Sequence, residues 1–438
     1  MSALHDKIGK RALELLPEWE AAFWTAESAN IPDYCFYPDT HLASQWENPE
    51  KLSYYEKYCL LPDGHCIPHG PLDSKWNGIG FSGNSSDPGP EEQIIRYYLK
   101  TILDLLRAKD VTESARFAGT FAHMIQDFST AVHLINNPLL NNLFPAENGK
   151  YFFYHRLVDS WPFHPEDISG EPKLLGRTLD EAAFVITEKL GSAMERGLGR
   201  VVPFLSAIRD GCREEADRIS QAMNGDAVLF TADLWHTLFC IAFQRFSETD
   251  IRRLSQRDLT DNRMILSFDM KFDRESFRKA GIPFYPTLYP GSDPCRARLS
   301  TDPYPYEPAV DFAYDGKGNL IPLALRIEGK TVSGKRGIAT GGYGIATYHV
   351  PGSLFSELDV WAGVHPDSTS DREMTFAVWC YELEQPLMAL GKAARNSSAL
   401  HWVVPLPETC RTISLLCAGG DRNTSGIWLS PVLKSRLG

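Results

Sequence analysis

Apolar residues recur at helical spacing over residues 5–25, 91–107, 111–135, 178–197 and 203–246. Examples are Ile94, Ile95, Tyr98, Ile102 and Leu105, or Phe117, Phe121, Met124, Ile125 and Phe128. The pattern predicts amphipathic helices through most of the first 250 residues. Between about 30 and 90 it lapses into a stretch rich in Pro, Gly, Asp and Tyr, which reads as a loop; loops this long inside a compact domain usually carry function. The loop ends in Ser85-Ser86-Asp87-Pro88-Gly89-Pro90-Glu91-Glu92, a helix start with acids in its first turn. After residue 320 the period changes. Leu323 to Ile327, Ile345 to Val350, Met374 to Trp379 and Thr412 to Leu416 are strand-length runs bounded by Gly, Pro, Asp and Asn, the texture of an all-β sandwich or jelly roll. Between the two textures, residues 283–308 hold seven prolines and four tyrosines, which excludes regular helix. The chain therefore reads as multi-domain: an all-α domain at 1–250, an extended Pro/Tyr-rich connector at 251–322 and an all-β jelly-roll or sandwich domain at 323–438.

Composition narrows the class. At 438 residues, 43% hydrophobic and 23% charged, the chain is globular rather than disordered, collagen-like or coiled-coil. A net charge of −12 weighs against a protein that lives by gripping a phosphate backbone, so no stable nucleic-acid partner is expected. The nine cysteines are scattered and never in a C-x-x-C pair, which argues against a disulfide scaffold or a thiolate zinc cage. The opening, Met1-Ser2-Ala3-Leu4-His5-Asp6, moves straight into an amphipathic helix. As written the chain reads cytoplasmic, or secreted if a signal has been removed. The most apolar run, Ala227 to Phe243, contains Asp233 and His236 and reads as a buried helix, leaving no transmembrane segment.

Nine of the twelve histidines fall in the first 240 residues, and they have a pattern. His123-x3-Asp127-x5-His133 is followed by His155-x3-Asp159. At 100° per residue, His123 and Asp127 lie one turn apart on one helix face, placed to grip one cation, and His155 with Asp159 repeats the arrangement. His133 projects about 80° from His123 on the same helix, near enough to share a cleft. Imidazole and carboxylate without sulfur suit zinc best, and open coordination positions would make such zinc catalytic. His164 and His236 have no partner at ligand spacing and read as structural histidines.

These residues carry a resemblance. The ordered set His5-x2-Ile8-x3-Ala12-Leu13-x-Leu15-Leu16, then Ile31-Pro32-Asp33-Tyr34-Cys35-Phe36-Tyr37-Pro38, then Phe121-Ala122-His123-Met124-Ile125-Gln126-Asp127 is similar to the zinc-dependent phospholipase C family. That family is related to the fungal zinc single-strand nucleases and to glycosylphosphatidylinositol-specific phospholipase D; the second motif is especially similar to the latter. The resemblance covers about residues 1–245 and implies two to three Zn²⁺ ions. Asp33, a loop histidine, His123 and Asp127 would hold the first, His133, His155 and Asp159 the second, and His5 with bridging Asp127 the third. His69, in Ile67-Pro68-His69-Gly70-Pro71, is preferred as the loop ligand over His65 and His41. Asp33 doubles as a candidate general base. The implied activity is phosphodiester hydrolysis of phospholipase C type, with metal-activated water attacking phosphorus and transient contact with a membrane surface. Asp159 as last ligand and the long His133 to His155 gap are closer to the nucleases, which keeps a single-strand nuclease open beside a phospholipase D-type activity.

Residues 323–438 resemble the novel putative carbohydrate-binding module through Ile327-Glu328-Gly329-Lys330, the Gly-rich turn to Gly344, Phe355 to Val364, Thr375 to Val378, Gly419-Gly420-Asp421 and Trp428. This implies a glycan as a candidate partner, and a rival of another class: a glycan-binding protein with a purely structural metal site. Structural zinc is usually closed by four protein ligands per ion, which this set would not supply.

Overall fold

The computed structural model describes residues 4–44, 55–62, 67, 90–130, 133–135, 137–146, 152–261, 278–282, 309–315, 319–342, 344–421 and 423–438. The chain divides into two compact units, one of residues 1–80 and 89–250, the other of residues 81–88 and 251–438. The first is helical and the second is built of antiparallel sheets, as the change of hydrophobic period predicts.

In the helical unit, α1 (Leu4–Leu15) stops ahead of Pro17, α2 (Glu18–Ala21) runs into a 3₁₀ stretch (Ala22–Ala29), and α3 spans Ile31–Ser44. They are followed by α4 (Pro90–Ala108), α5 (Val111–Ser129), α6 (Asn137–Leu143), α7 (Tyr154–Asp159), α8 (Leu179–Arg209) and α9 (Arg213–Phe243). Several of these differ from the sequence reading, and the helical stretch expected over 5–25 breaks at Pro17. The first part of the expected 30–90 loop is helix α3, because Pro32 falls in its first turn, where a missing N–H costs nothing. The helix expected over 111–135 ends at Ser129, and Thr130 is extended. There the Ser129 and Thr130 hydroxyls donate to the Ile125 and Gln126 carbonyls at 2.8 and 2.9 Å, competing with the backbone ladder. The break between the last two long helices falls at Gly211, whose φ of +72° suits glycine, while Pro203 is absorbed inside α8.

Core packing sets where the site forms. Helix α5 is buried along most of its length. Trp24 is fully buried and packs edge-on to Trp235 at 5.7 Å and Phe239 at 4.8 Å. Helix α9 is long and apolar enough to cross a membrane, but its apolar stretch is mostly buried inside this unit. Helix α3 lies directly on two others: a Cβ on Gly119 would stand 2.4 Å from Tyr34 Cβ, and one on Gly9 2.8 Å from Cys35 Sγ. Gly119→Ala is therefore expected to push α3 away from α5, destabilising the protein by roughly 1–3 kcal/mol, read as a lower urea midpoint with an unchanged slope.

In the second unit one sheet runs Leu400–Pro405, Phe355–Val364, Gly426–Ser435, Gly337–Thr340 and Ala309–Val310. The other runs Gln385–Pro386, Met374–Cys380, Thr412–Ala418 and Gly344–His349, with Gly391–Ala393 also paired to Met374–Cys380. Phe376 of one sheet meets Trp428 of the other edge-on at 5.6 Å, so the two form a sandwich. Trp428 is fully buried core. Gln256–Asp258 pairs with the far half of Gly426–Ser435, and Arg336 bridges to Asp258 and Asp311 at 3.3 and 3.6 Å. The described parts of 251–322 are thus built into this unit rather than left as an open connector; residues 283–308 lie outside the described ones.

Candidate metal centre

Helix α5 begins on Asp110, whose carboxylate accepts from Glu113 N–H, and its last two turns carry His123 and Asp127. Asp127 is 1% exposed and His123 fully buried, and His123 Nε2 lies 3.0 Å from Asp127 Oδ2. Two further imidazoles reach the same carboxylate from other elements. His5 of α1 brings Nε2 to 3.3 Å from Asp127 Oδ1. His133, on the turn that follows α5 and is closed by its N–H to the Thr130 carbonyl, brings Nε2 to 3.3 Å from the same oxygen. Helix α7 adds the last pair: His155 Nδ1 sits 2.9 Å from Asp159 Oδ2, and its Nε2 is 3.2 Å from His133 Nε2.

Hydrogen bonds on the outer side fix the rings. His123 Nδ1 is 2.8 Å from the Cys35 carbonyl, which can only accept, so Nδ1 carries the proton and the neutral ring turns its Nε2 lone pair toward Asp127. His5 Nδ1 is 2.7 Å from Gln126 Oε1, and Gln126 is oriented by its amide donating to Thr231 Oγ1 at 3.4 Å. Burial holds His123 in the neutral form, below the ordinary histidine range. Burial, together with His155, His5 and His123 around it, pushes His133 well down. His155 moves the other way: burial opposes the charge, but its hydrogen bond to Asp159 holds the pKa up. Lone pairs aimed at a buried carboxylate repel it unless a cation lies between them, so the donor set fits a metal ion, with outer-shell carbonyls orienting the imidazoles as metal sites do.

The structure thus brings together His5, His123, Asp127, His133, His155 and Asp159 from the sequence-derived set. Asp33 is exposed on α3 and, among the described residues, makes no ion pair with the cluster; it lines a separate cavity of about 830 Å³ with Asp6 and Arg11. Asp39 stands beside the cluster instead, its carboxylate 3.6 Å from both His5 Nε2 and His123 Nε2. The physical reason is helix α3. Six residues amount to 240° of helical rotation, so Asp33 and Asp39 cannot face one site. Asp39 lies one turn beyond Cys35, whose carbonyl already meets His123. Reading 31–44 as helix would have found it. His65 and His69 lie outside the described residues, and His41 lies on α3.

A helical unit with buried imidazoles gathered on one carboxylate, followed by a β-sandwich unit, defines the class: a two-unit candidate metalloprotein. No family model matches the chain and no curated protein does. Among solved structures it is similar to alpha-toxin from Clostridium absonum, at 11% identity and TM-score 0.34, over 97% of this chain and 84% of that one. It is also similar to alpha-toxin isolated from avian strain SWCP of Clostridium perfringens, at 10% identity and TM-score 0.30, over 96% and 83%. A third likeness is to the CBM51-2 module in complex with GlcNAc and the INT domains of Clostridium perfringens ZmpB, at 17% identity and TM-score 0.25, over 30% of this chain; the chain spans only 28% of that structure.

Proposed function

We propose that the helical unit is a zinc-dependent phosphodiester hydrolase of phospholipase C type. The observation that carries this reading is the convergence of His5, His123 and His133 on buried Asp127 at 3.0–3.3 Å, with the His123 tautomer fixed by Cys35. His5, Asp39, His123, Asp127, His133, His155 and Asp159 would hold two or three zinc ions, which would supply Lewis acidity toward phosphoryl oxygens and lower the pKa of water toward neutrality. Asp127 would be a ligand shared among these imidazoles, since Oδ1 faces His5 and His133 and Oδ2 faces His123. His133, His155 and Asp159 form the second lobe, and Asp39 joins His5 and His123. Asp39, 38% exposed and 3.6 Å from His5 and His123, is proposed as the proton acceptor that the family resemblance implies for Asp33.

The substrate reading is a phospholipid head-group diester at a membrane surface. The net charge of −12 opposes a nucleic-acid backbone. Release of phosphate ester from phosphatidylcholine, phosphatidylinositol and single-stranded RNA, with and without chelator, tests this directly. Chelator-sensitive cleavage of a lipid supports the proposal. Cleavage of RNA alone makes the chain a nuclease, and no cleavage by zinc-loaded protein overturns the catalytic reading. Asp39→Asn is expected to lower zinc affinity by roughly 10–100-fold, whereas Asp33→Asn leaves it nearly unchanged, in titrations against a chromophoric chelator.

For the β unit we propose an accessory glycan-binding role. Trp361 is half-buried and stacks on exposed His401 at 4.3 Å, and His401 is held by Asp359 at 2.8 Å. The exposed imidazole of His401, stacked on Trp361 and paired with Asp359, presents a flat polar group of the kind that can meet a sugar. Loss of glycan-array signal in Trp361→Ala supports it, and an array without hits for the wild type counts against it.

A further inference from the structure

The described residues gather a second set of metal-binding side chains in the β unit, far in sequence from the helical cluster. Strand Met374–Cys380 ends on Cys380, Glu382 sits in the following turn, and Cys410 precedes strand Thr412–Ala418. One donor atom from each lies within 4.8 Å of the other two. Both cysteines are fully buried and neither is in a disulfide. The carboxylate between them is anchored on one side only. Glu382 Oε2 accepts from the backbone N–H groups of Arg411 and Thr412 at 3.0 and 3.1 Å and from the Cys380 thiol at 3.5 Å. Glu382 Oε1 is buried with no hydrogen-bond partner.

A carboxylate oxygen removed from water and left unpartnered is costly, and thiols, as weak donors, offset little of that. A soft divalent cation would satisfy all three groups. Zinc bonds of about 2.0–2.3 Å at tetrahedral angles set ligand atoms roughly 3.5–4 Å apart, within the span found here. We propose that Cys380, Cys410 and Glu382 form a zinc site, separate from the helical cluster, that ties the end of one strand to the entry of its neighbour. Two thiolates and a carboxylate favour zinc over magnesium or calcium. Binding releases the two thiol protons to solvent and leaves the fourth position to water. The spacing, two residues and then a long gap, hides this site from any search for paired C-x-x-C motifs.

The test is cobalt(II) titration of the full chain, read by the near-ultraviolet charge-transfer band of a cobalt thiolate. The band is expected in the wild type, in Asp127→Asn, which disables the helical cluster, and in Cys240→Ser, which removes the thiol beside His236. It is expected to vanish in Cys380→Ser and Cys410→Ser. Glu382→Gln should weaken metal binding at least about ten-fold while melting like the wild type without metal, which separates lost ligation from misfolding. A band that survives Cys410→Ser, or no thiolate band at all, overturns the site. So does a native Cys380–Cys410 disulfide, seen as unreduced protein lighter by two hydrogens.

Discussion

Asp127→Asn is expected to abolish zinc binding at the helical cluster and, on the proposed function, to lower phosphodiester hydrolysis by on the order of 10³, about 4 kcal/mol of transition-state stabilisation. The amide keeps the shape of the carboxylate but brings a neutral group, and one of its two positions becomes an N–H donor. It would therefore no longer offer an anionic ligand to a cation among His5 and His133 on Oδ1 and His123 on Oδ2. The fold should survive. In metal-free protein the isosteric amide can still meet the surrounding imidazoles, so the apo melting temperature should change little. A variant that lost activity because it unfolded would instead melt lower with and without metal, and that outcome would detach Asp127 from the chemistry.

The second large effect concerns stability. His236→Leu is expected to destabilise the helical unit by roughly 3–5 kcal/mol, because it leaves the fully buried Glu20 carboxylate without its partner. That partner contact is 2.7 Å, from His236 Nδ1 to Glu20 Oε1, with Cys240 Sγ 3.6 Å from the other ring nitrogen. The double variant Glu20→Met with His236→Leu should recover most of the loss, since an apolar pair replaces a buried ionic one at little net cost. The pair also predicts a pH dependence. Burial opposes charge on His236, but Cys240 and Glu20 hold its pKa up at about 10. A raised folded-state pKa contributes stability that is whole below about pH 6.5, the unfolded value, and is lost progressively as pH rises to about 10. Urea midpoints measured across that range should fall in the wild type and flatten in the double variant. Equal slopes would remove the pair from the account.

How much of this could be read from the chain depends on which interactions are local. The change from helical to strand period near residue 320 was legible because each side chain's burial follows from its own position in a repeat. His123 with Asp127, and His155 with Asp159, were legible because one helical turn is a local distance. Asp39 was not. It depends on residues 31–44 being helix despite Pro32 and Pro38, and on Gly9 and Gly119 letting that helix lie against its neighbours. His133 kept its place although its helix ends four residues earlier, because the turn at Thr130 bends it back over Asp127. The Glu20 partner of His236 and the Cys380, Glu382 and Cys410 group join residues 216 and about 30 positions apart through packing that no short motif encodes.

The central claim is that a metal ion sits where buried imidazole lone pairs meet Asp127. Crystals of the full chain grown with zinc, measured above and below the zinc absorption edge, test it most directly. The account predicts an anomalous peak within bonding distance of His123 Nε2 and Asp127, with a further peak toward His133, His155 and Asp159. An anomalous map without a peak at Asp127, from protein saturated with zinc, would contradict it.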